Sequence, residues 1–251
     1  MGRIIAVVNQ KGGVGKTTTA VNLTAALHAL GLRVLLCDFD PQANATSGLG
    51  VDKRSTKKDV YDVVVDGEPT ENAIVSTKFG DVLPSSPHLA GAAVELLTLD
   101  QPKHRLANAL NAVRDRYDVI FIDCPPSLEM LTINGLTAAD SILVPVQCEY
   151  YALEGLSDLM TTLRVVKKSI NPKLEIFGVA LTMFDGRTNF STQVAQEVRR
   201  HFPGKVFATA IPRNVRLAEA PSHGLPVIAY DRSSKGAVAY MAMAEEIKKK
   251  L

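Results

Sequence analysis

Short apolar runs alternate with amphipathic stretches along most of the chain. The first run occupies residues 3–9 and is rich in Ile, Val and Ala, which is typical of a strand buried on both faces of a parallel sheet. From Lys16 the spacing changes, and apolar residues recur every three or four positions until Gly31. The start of the chain is therefore predicted to fold as a strand, a loop and a helix.

The same alternation continues towards the C-terminus. Strands that alternate with helices of about 10 to 15 residues are joined by crossover connections, which place them in a mostly parallel sheet. The pattern therefore predicts an α/β fold with a doubly wound, mostly parallel sheet flanked by helices. Neither a linker nor an internal repeat divides the sequence, so residues 1–251 are predicted to form a single domain. The further predicted strands are residues 33–38, 118–123, 141–146 and 174–182, and the further predicted helices are residues 57–65, 104–116, 153–169, 190–202 and 235–251.

Composition excludes several classes of protein. Apolar residues make up 46% of the chain and charged residues 22%, which excludes a mostly disordered protein. No apolar stretch reaches the roughly 18 to 20 residues that span a bilayer, and the sequence shows no signal peptide, so we expect a cytoplasmic protein. The three cysteines lack the close spacing of a metal site or a redox pair and are predicted to be reduced and structural.

A glycine-rich loop separates the first strand from the first helix. Backbone N–H groups in such a turn, beside the positive end of a helix dipole, form a site for polyphosphate. Lys16 would reach the terminal phosphates and Thr17 would give its hydroxyl to Mg²⁺. The dinucleotide fingerprint G-x-G-x-x-G fails here because Thr18 stands at its third glycine. The sequence thus predicts ATP and Mg²⁺ as cofactors, with ATP bound by Lys11-Gly12-Gly13-Val14-Gly15-Lys16-Thr17-Thr18.

The loop departs from the ordinary P-loop pattern in one respect. Gln10 replaces the first glycine, and a second lysine, Lys11, begins the loop. This deviant form is the signature of one branch of P-loop ATPases, in which the early lysine is understood to cross a dimer interface and contact the nucleotide of the other subunit. A cation aimed at the transferring phosphoryl group stabilises developing charge, as an arginine finger does. The alternative is a lysine that points into solvent.

Three aspartates lie at the ends of predicted strands or just after them. Asp38 ends the second predicted strand, Asp40 follows it, and Asp123 ends the third. Because ligands of open parallel sheets bind at the carboxyl ends of the strands, these acids are expected beside the phosphate loop. Asp123 fits the aspartate of a Walker B motif on the Mg²⁺ side, and Asp40 is placed to orient the attacking water, with Asp38 a further candidate for metal binding. Any one of them could instead cap a helix or form a turn.

Taken together, these residues resemble the ParA/Soj family of chromosome-partitioning ATPases. The resemblance runs over essentially the whole chain, and its last two motifs are much more specific than the phosphate loop. The motifs that carry it are residues 9–19, 38–42, 44–50, 122–127, 145–155 and 211–222.

The resemblance implies an ATPase that turns over slowly unless a partner stimulates it. It further implies an ATP-dependent sandwich homodimer, non-specific binding of double-stranded DNA by that dimer, a ParB/Spo0J-like partner bound to a centromere-like site, and a nucleoid-associated location. By carry-over, Lys11, Lys16 and Asp40 are catalytic residues, and Thr17, Asp40 and Asp123 hold Mg²⁺. Gly12 would lack a side chain because the two loops of the dimer face each other closely. The nucleotide-binding residues are Lys11, Gly12, Gly13, Val14, Gly15, Lys16, Thr17 and Thr18, with Pro212 and Asn214 lining the adenine.

Two features depart from the family pattern. Ala43 stands where a family member typically has glycine, which puts little in doubt. The sequence also starts at its first strand, without the helix-turn-helix extension of the larger plasmid-type relatives, so we do not expect operator-specific repression.

Basic residues concentrate in the last quarter of the sequence. Residues 187–251 carry eleven Lys and Arg against five Asp and Glu, although the net charge of the chain is only +2. Phosphate contacts from such side chains give affinity without sequence specificity. A solvated basic face is the alternative, but Arg187 and Arg216 match positions where family members are held to contact DNA. The predicted DNA contacts are Arg187, Arg199, Arg200, Arg216, Arg232, Lys235, Lys248 and Lys249.

Three other functions compete with this interpretation. A membrane-associated positioning ATPase of the MinD type would need a lipid-binding amphipathic tail, whereas the C-terminal apolar stripe is predicted to join the core, so no membrane partner is expected. An iron–sulfur electron carrier would need cysteines placed between subunits, a pattern that Cys124 and Cys148 do not match. A scaffold that binds ATP without hydrolysing it would be expected to lack Lys16 or Asp40.

Overall fold

The structure is a computed structural model that describes residues 2–127, 129–149 and 152–251. Its described strands form one seven-stranded sheet in the order β3-β4-β2-β5-β1-β6-β7. Every neighbouring pair is parallel except β3 and β4, which are antiparallel. The strands are β1 Arg3–Val7, β2 Val34–Asp38, β3 Val75–Thr77, β4 Gly80–Leu83, β5 Val119–Asp123, β6 Ser141–Gln147 and β7 Glu175–Thr182.

Helices connect the parallel strands and cover both faces of the sheet. The short helical turns Leu96–Thr98, Arg114–Arg116 and Ala220–His223 and the π-helical turn Asp62–Asp66 complete the helical structure of the described chain. The helices are α1 Lys16–Ala29, α2 Asn44–Gly48, α3 Thr70–Ala73, α4 Leu89–Glu95, α5 Arg105–Val113, α6 Met130–Ala138, α7 Ala152–Ser169, α8 Asn189–His201, α9 Val215–Glu219, α10 Val227–Tyr230 and α11 Lys235–Lys248.

The predicted fold class is confirmed, with corrections to individual elements. The strand pair β3 and β4 and several short helices were not predicted. The helix predicted over residues 57–65 was placed too early, because the backbone turns helical only at Val60 and continues through the π-helical turn to Asp66. Asp59 explains this late start, since its Oδ1 accepts a hydrogen bond from Tyr61 N at 2.7 Å and so forms a turn.

Side chains of the central strands alternate between two cores, one on each face of the sheet. Ile4 and Ala6 of β1 point into one core, and Ile5 and Val7 point into the other. All four are completely buried, which explains why this strand is an unbroken apolar run. Helix α11 packs in the same core as Ile5 and Val7, together with α1.

Two predicted apolar stripes need correction at their ends. The spacing of Phe190, Val194, Val198 and Phe202 predicts one buried face for α8, but Phe190 is 43% exposed whereas the other three are buried. The spacing of Tyr240, Ala244, Ile247 and Leu251 predicts one buried face for the last helix, but α11 ends at Lys248 and Leu251 is 43% exposed. Both residues lie at or beyond an end of their helix, Phe190 in the first turn of α8 and Leu251 after the last residue of α11.

Parallel strands end on the same side of the sheet, which we name the carboxyl edge; the opposite side is the amino edge. Asp38 at the end of β2 is in register with Asp123 at the end of β5, and Val7 at the end of β1 is in register with the same Asp123. The phosphate loop follows β1 directly. The three aspartates and the loop are therefore brought together at the carboxyl edge by strand pairing alone.

No helix within the described residues is long and apolar enough to cross a bilayer.

One buried hydroxyl in α1 finds no hydrogen-bond partner among the described residues, which gives a test of how the helix is packed. Thr24 is completely buried, and its Oγ1 makes no hydrogen bond with any described group. Replacing Thr24 with valine removes an unsatisfied polar atom at nearly constant volume, so we expect the free energy of unfolding to rise by about 1 kcal/mol. Thr70→Val is the matched control, because Thr70 Oγ1 donates to Ala109 O at 2.9 Å and should lose a similar amount. Urea unfolding of both variants measures this, and a destabilised Thr24→Val protein would show that the hydroxyl has a partner.

Candidate nucleotide-binding site

The phosphate loop has the backbone shape that its glycines predict. Gly13 has φ +75° and Gly15 has φ +89°, a left-handed conformation that residues with a Cβ rarely adopt. Gly15 is the N-cap of α1, and no side chain caps the first turn of this 14-residue helix. The first N–H groups of α1 lack acceptors within the helix and point out of its positive end. This is the arrangement that binds a polyphosphate.

Side chains outside the loop fix its two sides. Asn9 Nδ2 donates to Pro145 O at 2.8 Å, and Asn9 Oδ1 accepts from Lys11 N at 3.0 Å, so the start of the loop is tied to β6. Thr182 Oγ1 donates to Val14 O at 2.8 Å and ties the middle of the loop to β7. Sequence analysis assigned no role to Asn9 or Thr182. Thr182 ends an apolar strand and Asn9 follows one by two residues, both at the carboxyl edge, and a polar residue in such a place is a signal that could have found them.

Lys16 is held inside the loop. Lys16 is only 7% exposed. Its Nζ donates to Lys11 O at 3.1 Å, across the loop. Burial lowers the pKa of Lys16, while Asp123, Cys124 and Asp40 oppose this change by favouring the charged form. Lys11 is half-buried, and Gly12 and Gly13 are exposed. The ammonium of Lys16 thus lies at the loop interior, where a phosphate oxygen can replace its acceptor, the carbonyl oxygen of Lys11.

Asp123 has the most unusual environment in the site. It is completely buried, and neither carboxylate oxygen accepts a hydrogen bond from a described group. Burial raises the pKa of Asp123 well above its usual value, and the charge of Asp38 adds to the rise. The Thr17 hydroxyl approaches this carboxylate and opposes the rise, although the two groups fall outside hydrogen-bond geometry.

Asp38 holds the loop that follows β2. Its Oδ2 accepts from Thr46 N and from Thr46 Oγ1, both at 2.7 Å, and its Oδ1 accepts from Asp40 N at 3.3 Å. Burial raises the pKa of Asp38 to about 6, and these hydrogen bonds limit the rise. Because both oxygens already accept hydrogen bonds, Asp38 anchors the loop that carries Asp40 and is less free than Asp123 to bind a metal.

Asp40 lies at the surface of the site, past the end of β2. Its Oδ1 accepts from Gln42 N at 2.9 Å, and its main-chain carbonyl accepts from Ser85 Oγ at 2.8 Å. Ala43, the departure from the family pattern, has φ +53° and is completely buried. A left-handed backbone at this position is the physical reason why glycine suits it. The carboxylate of Asp40 therefore sits on a short segment with a fixed backbone.

A cavity of about 380 Å³ opens beside the phosphate loop. Gly15 and Thr18 form its floor towards the loop, and Pro212 and Asn214 form part of its wall. Asn214 Oδ1 accepts from Arg216 N at 3.0 Å and thereby caps α9. The remaining wall is largely apolar, which suits the faces of a planar base. It is formed by Thr182, Met183, Ile211, Arg213, Val215, Leu217, Ala218 and Tyr240.

The residues of the site fit Mg²⁺. Asp123 provides buried carboxylate oxygens without hydrogen bonds, and Thr17 provides a hydroxyl beside them. Oxygen donors of this kind are what Mg²⁺ prefers, together with water and phosphate oxygens. Among the described residues there is no cluster of three or more His, Cys, Asp or Glu side chains suited to a metal ion.

The predicted DNA contacts fall into two groups on the fold. Helix α11 runs alongside α1, because Tyr240 OH lies 3.1 Å from Thr19 Oγ1 and Lys248 Nζ donates to Leu30 O at 2.8 Å. Its two ends are therefore about 20 Å apart, at a rise of about 1.5 Å per residue. Helix α8 likewise leads from the carboxyl edge to the amino edge. The carboxyl-edge group is Arg187, Arg216, Arg232 and Lys235, and the amino-edge group is Arg199, Arg200, Lys248 and Lys249.

All eight side chains are exposed, but three of the arginines form ion pairs. Arg187 Nη2 lies 2.7 Å from Asp185 Oδ2, and Arg216 Nη1 lies 2.7 Å from Glu219 Oε2. Arg200 pairs with a glutamate on its own helix at 3.1 Å. Exposed pairs of this kind stabilise a protein by less than about 1 kcal/mol, so a phosphate can replace the carboxylate.

Comparisons with known proteins agree with this geometry. A family model described as an AAA domain matches residues 2–176. The sporulation initiation inhibitor protein Soj of Bacillus subtilis is 56% identical over 249 residues, which cover 98% of each chain. The chromosome partitioning protein ParA of Myxococcus xanthus is 50% identical over 252 residues, covering 100% of this chain and 89% of that protein. The chain belongs to the ParA/Soj family.

Solved structures place this ParA/Soj-family protein among nucleotide-binding folds. A cobyrinic acid a,c-diamide synthase from Mycobacterium smegmatis, solved with a bound ATP analog and magnesium, is 38% identical with a TM-score of 0.87. The match covers 99% of this chain and 95% of that one. Two MinD proteins from Pyrococcus species share the fold at 32% and 30% identity, both with a TM-score of 0.82. Membership of this P-loop ATPase family agrees with the phosphate loop and the buried aspartates.

One family motif is only partly visible. Of residues 145–155, Tyr150 and Tyr151 lie outside the described residues. The remaining motifs lie at the carboxyl edge, around the loop and the cavity.

Proposed function

We propose that the chain is a switch ATPase that hydrolyses ATP to ADP and phosphate and segregates chromosome or plasmid DNA. The phosphate loop carries this proposal: it combines left-handed glycines, an uncapped helix N-terminus and a buried lysine in one place. A bound polyphosphate would use all three features together, because its oxygens accept from main-chain N–H groups of the loop and helix and pair with the ammonium of Lys16. The apolar cavity beside the loop has room for the base of a nucleotide.

Each residue of the site has a distinct task in this proposal. The amides of residues 12–18 and the ammonium of Lys16 bind the phosphates, and Pro212 and Asn214 border the base. Thr17 and Asp123, with Asp40, would hold Mg²⁺, which when bound neutralises phosphate charge. Asp40 orients the attacking water, because its carboxylate lies at the open side of the site on a fixed backbone. If the site is complete only in an assembled complex, the chain by itself should hydrolyse ATP slowly.

Lys11 and Gly12 support assembly into an ATP-dependent homodimer. A Cβ built at Gly12 would meet no described atom of the single chain within 4 Å, so no contact among the described residues requires glycine there. The demand arises if a second copy lies against the loop. Lys11 then reaches the nucleotide of the partner subunit, and hydrolysis separates the two copies.

DNA binding gives the switch its output. Two subunits combine their basic groups, so dimerisation raises affinity for non-specific double-stranded DNA through multivalency. A ParB/Spo0J-like protein bound at a centromere-like site would stimulate hydrolysis and release the dimer from DNA. A protein with this behaviour is cytoplasmic and associates with the nucleoid.

A membrane-associated positioning ATPase of the MinD type is the alternative, since the fold is shared. Helix α11 argues against membrane association, because Tyr240, Ala244 and Ile247 are buried in the core beside α1. An apolar face that is already buried cannot also lie on lipid.

DNA binding with ATP and with ADP separates these proposals. We expect ATP to raise the affinity for non-specific double-stranded DNA at least about tenfold over ADP. Because phosphate contacts are weakened by salt, that affinity should fall steeply between about 50 and 200 mM salt. The double variant Arg216→Ala, Lys235→Ala should bind roughly tenfold more weakly and lower the slope of log affinity against log salt by about 2. Fluorescence anisotropy with a labelled duplex measures both.

The matched control is Lys78→Ala, Lys103→Ala, which removes the same charge from exposed positions outside the basic groups. This control should bind DNA as the wild type does. Equal DNA affinity with ATP and ADP would refute the partitioning function while leaving the ATPase intact, and binding to anionic vesicles instead would favour the MinD-like alternative.

A further inference from the structure

Thr182 fixes the phosphate loop from outside. It is the last residue of β7 and only 3% exposed, and its Oγ1 donates to Val14 O at 2.8 Å. Its own carbonyl accepts from Cys148 N at 3.2 Å, which holds the Thr182 backbone against the chain after β6. The hydroxyl is therefore presented to the loop from a rigid part of the sheet.

The loop needs this support at Val14. Gly13 and Gly15 flank this residue, with φ +75° and φ +89°, and glycine restricts its backbone less than any other residue. The orientation of the peptide that joins Val14 to Gly15 is thus poorly determined by local sterics. Val14 is 1% exposed, so its carbonyl would also be buried without a partner if the Thr182 hydroxyl were removed.

The orientation of this peptide decides where one donor points. A trans peptide is planar, so the N–H of Gly15 points opposite to the carbonyl of Val14. When that carbonyl faces Thr182, the Gly15 N–H faces away from β7. In a phosphate loop, such inward N–H groups bind the polyphosphate.

We propose that Thr182 is a positioning residue for nucleotide binding. Its hydroxyl fixes the Val14–Gly15 peptide before nucleotide arrives, so the Gly15 N–H is presented to the phosphates without reorganisation on binding. This inference rests on the proposed nucleotide-binding function. The methyl group of Thr182 has a separate role, because it lies 3.7 Å from the position of a Cβ on Gly15 and lines the cavity with Pro212.

Substitutions at position 182 separate the hydroxyl from the methyl. Thr182→Val keeps the shape and removes the donor, so we expect the affinity for ADP with Mg²⁺ to fall about tenfold, which is the loss of one hydrogen bond of about 1.4 kcal/mol. Thr182→Ser keeps the donor and should restore affinity to within about twofold of the wild type. Isothermal titration calorimetry measures both, and Thr24→Val controls for removal of a hydroxyl elsewhere in the core.

A purely structural role would not produce this pattern. If Thr182 only stabilised the fold, the valine variant would have a lower melting temperature but bind ADP as the wild type does, and the proposal would be overturned. Equal weakening by serine and valine would overturn it as well. Should Thr182→Val fail to fold, Thr182→Ala serves in its place, with the same expected loss. A wild-type protein that bound no ADP would instead refute the proposed function itself.

Discussion

Replacing Lys16 with alanine is expected to lower ATP turnover on the order of 100-fold or more and to weaken nucleotide binding severely. Removal of one preorganised charge from a water-excluded site typically has an effect of this size. Lys16 is buried, and its burial opposes its positive charge, so its loss should not destabilise the fold. Phosphate release assays and calorimetry measure the two effects, and Lys57→Ala, an exposed lysine away from the loop, should behave as the wild type does.

Asp40→Ala distinguishes catalysis from binding in the same assays. Because Asp40 is assigned both to Mg²⁺ and to the attacking water, this variant should weaken Mg²⁺–ATP binding less than Lys16→Ala does but lose about 10²- to 10⁴-fold in turnover. Full turnover in both the Lys16 and the Asp40 variants would remove the chemical basis of the switch.

Replacing Asp123 with asparagine is expected to change stability and function in opposite directions. In the Mg²⁺-free protein, asparagine replaces a buried carboxyl group that accepts no hydrogen bond from the described residues and whose ionised form is disfavoured by burial, so the free energy of unfolding should rise by about 1 to 3 kcal/mol. The same change should weaken Mg²⁺-dependent nucleotide binding by about 10- to 100-fold, since a carboxylate that holds the metal is lost. Chemical unfolding without Mg²⁺ and calorimetry with it measure the two effects.

The gain in stability should depend on pH. The folded-state pKa of Asp123 is raised, so the folded protein binds more protons than the unfolded chain, and its stability falls as pH rises above the usual carboxyl value. The stabilisation by Asp123→Asn should therefore be larger at pH 8 than at pH 5.5. Asp59→Asn is the control, because Asp59 is also buried and its Oδ1 accepts a hydrogen bond from Tyr61 N. This variant should be less stable than the wild type yet bind nucleotide normally. A destabilised Asp123→Asn protein at pH 8 would show that the Asp123 carboxyl group does not destabilise the metal-free protein.

The sequence predicted those parts of the fold in which local pattern and tertiary burial agree. Strand β1 is an unbroken apolar run because both of its faces are covered, and Gly31 correctly marked the end of α1. Helix α6 was missed because it is apolar almost all round, with most of its residues buried, and so lacks the periodicity of a surface helix. Strands β3 and β4 were missed because each is too short for alternation to show.

The candidate site was predicted in its residue types but not in its supports. The aspartates at the carboxyl edge could be placed because strand order alone brings them together. The hydrogen bond from Thr182 to Val14 joins residues 168 positions apart, and no local pattern contains such information. Asp38 was treated as a possible metal ligand because its anchoring contact with Thr46 arises only when α2 folds back on the strand. The division of the basic residues into two groups likewise depends on helix direction.

The two edge strands of the described sheet, β3 and β7, affect how copies of this protein associate at high concentration. Strand β3 has only three residues and is antiparallel to β4. Its outer side therefore exposes only a very short row of main-chain groups. At the opposite edge of the sheet, some main-chain groups of β7 already form hydrogen bonds with the following chain. Val179 N donates to Lys205 O at 2.9 Å, and Ile211 N donates to Leu181 O at 2.8 Å. Short or occupied borders prevent uncontrolled strand-to-strand aggregation. Crowding many copies onto one surface therefore favours contacts through side chains, which can be reversed, over amyloid-like pairing, which cannot.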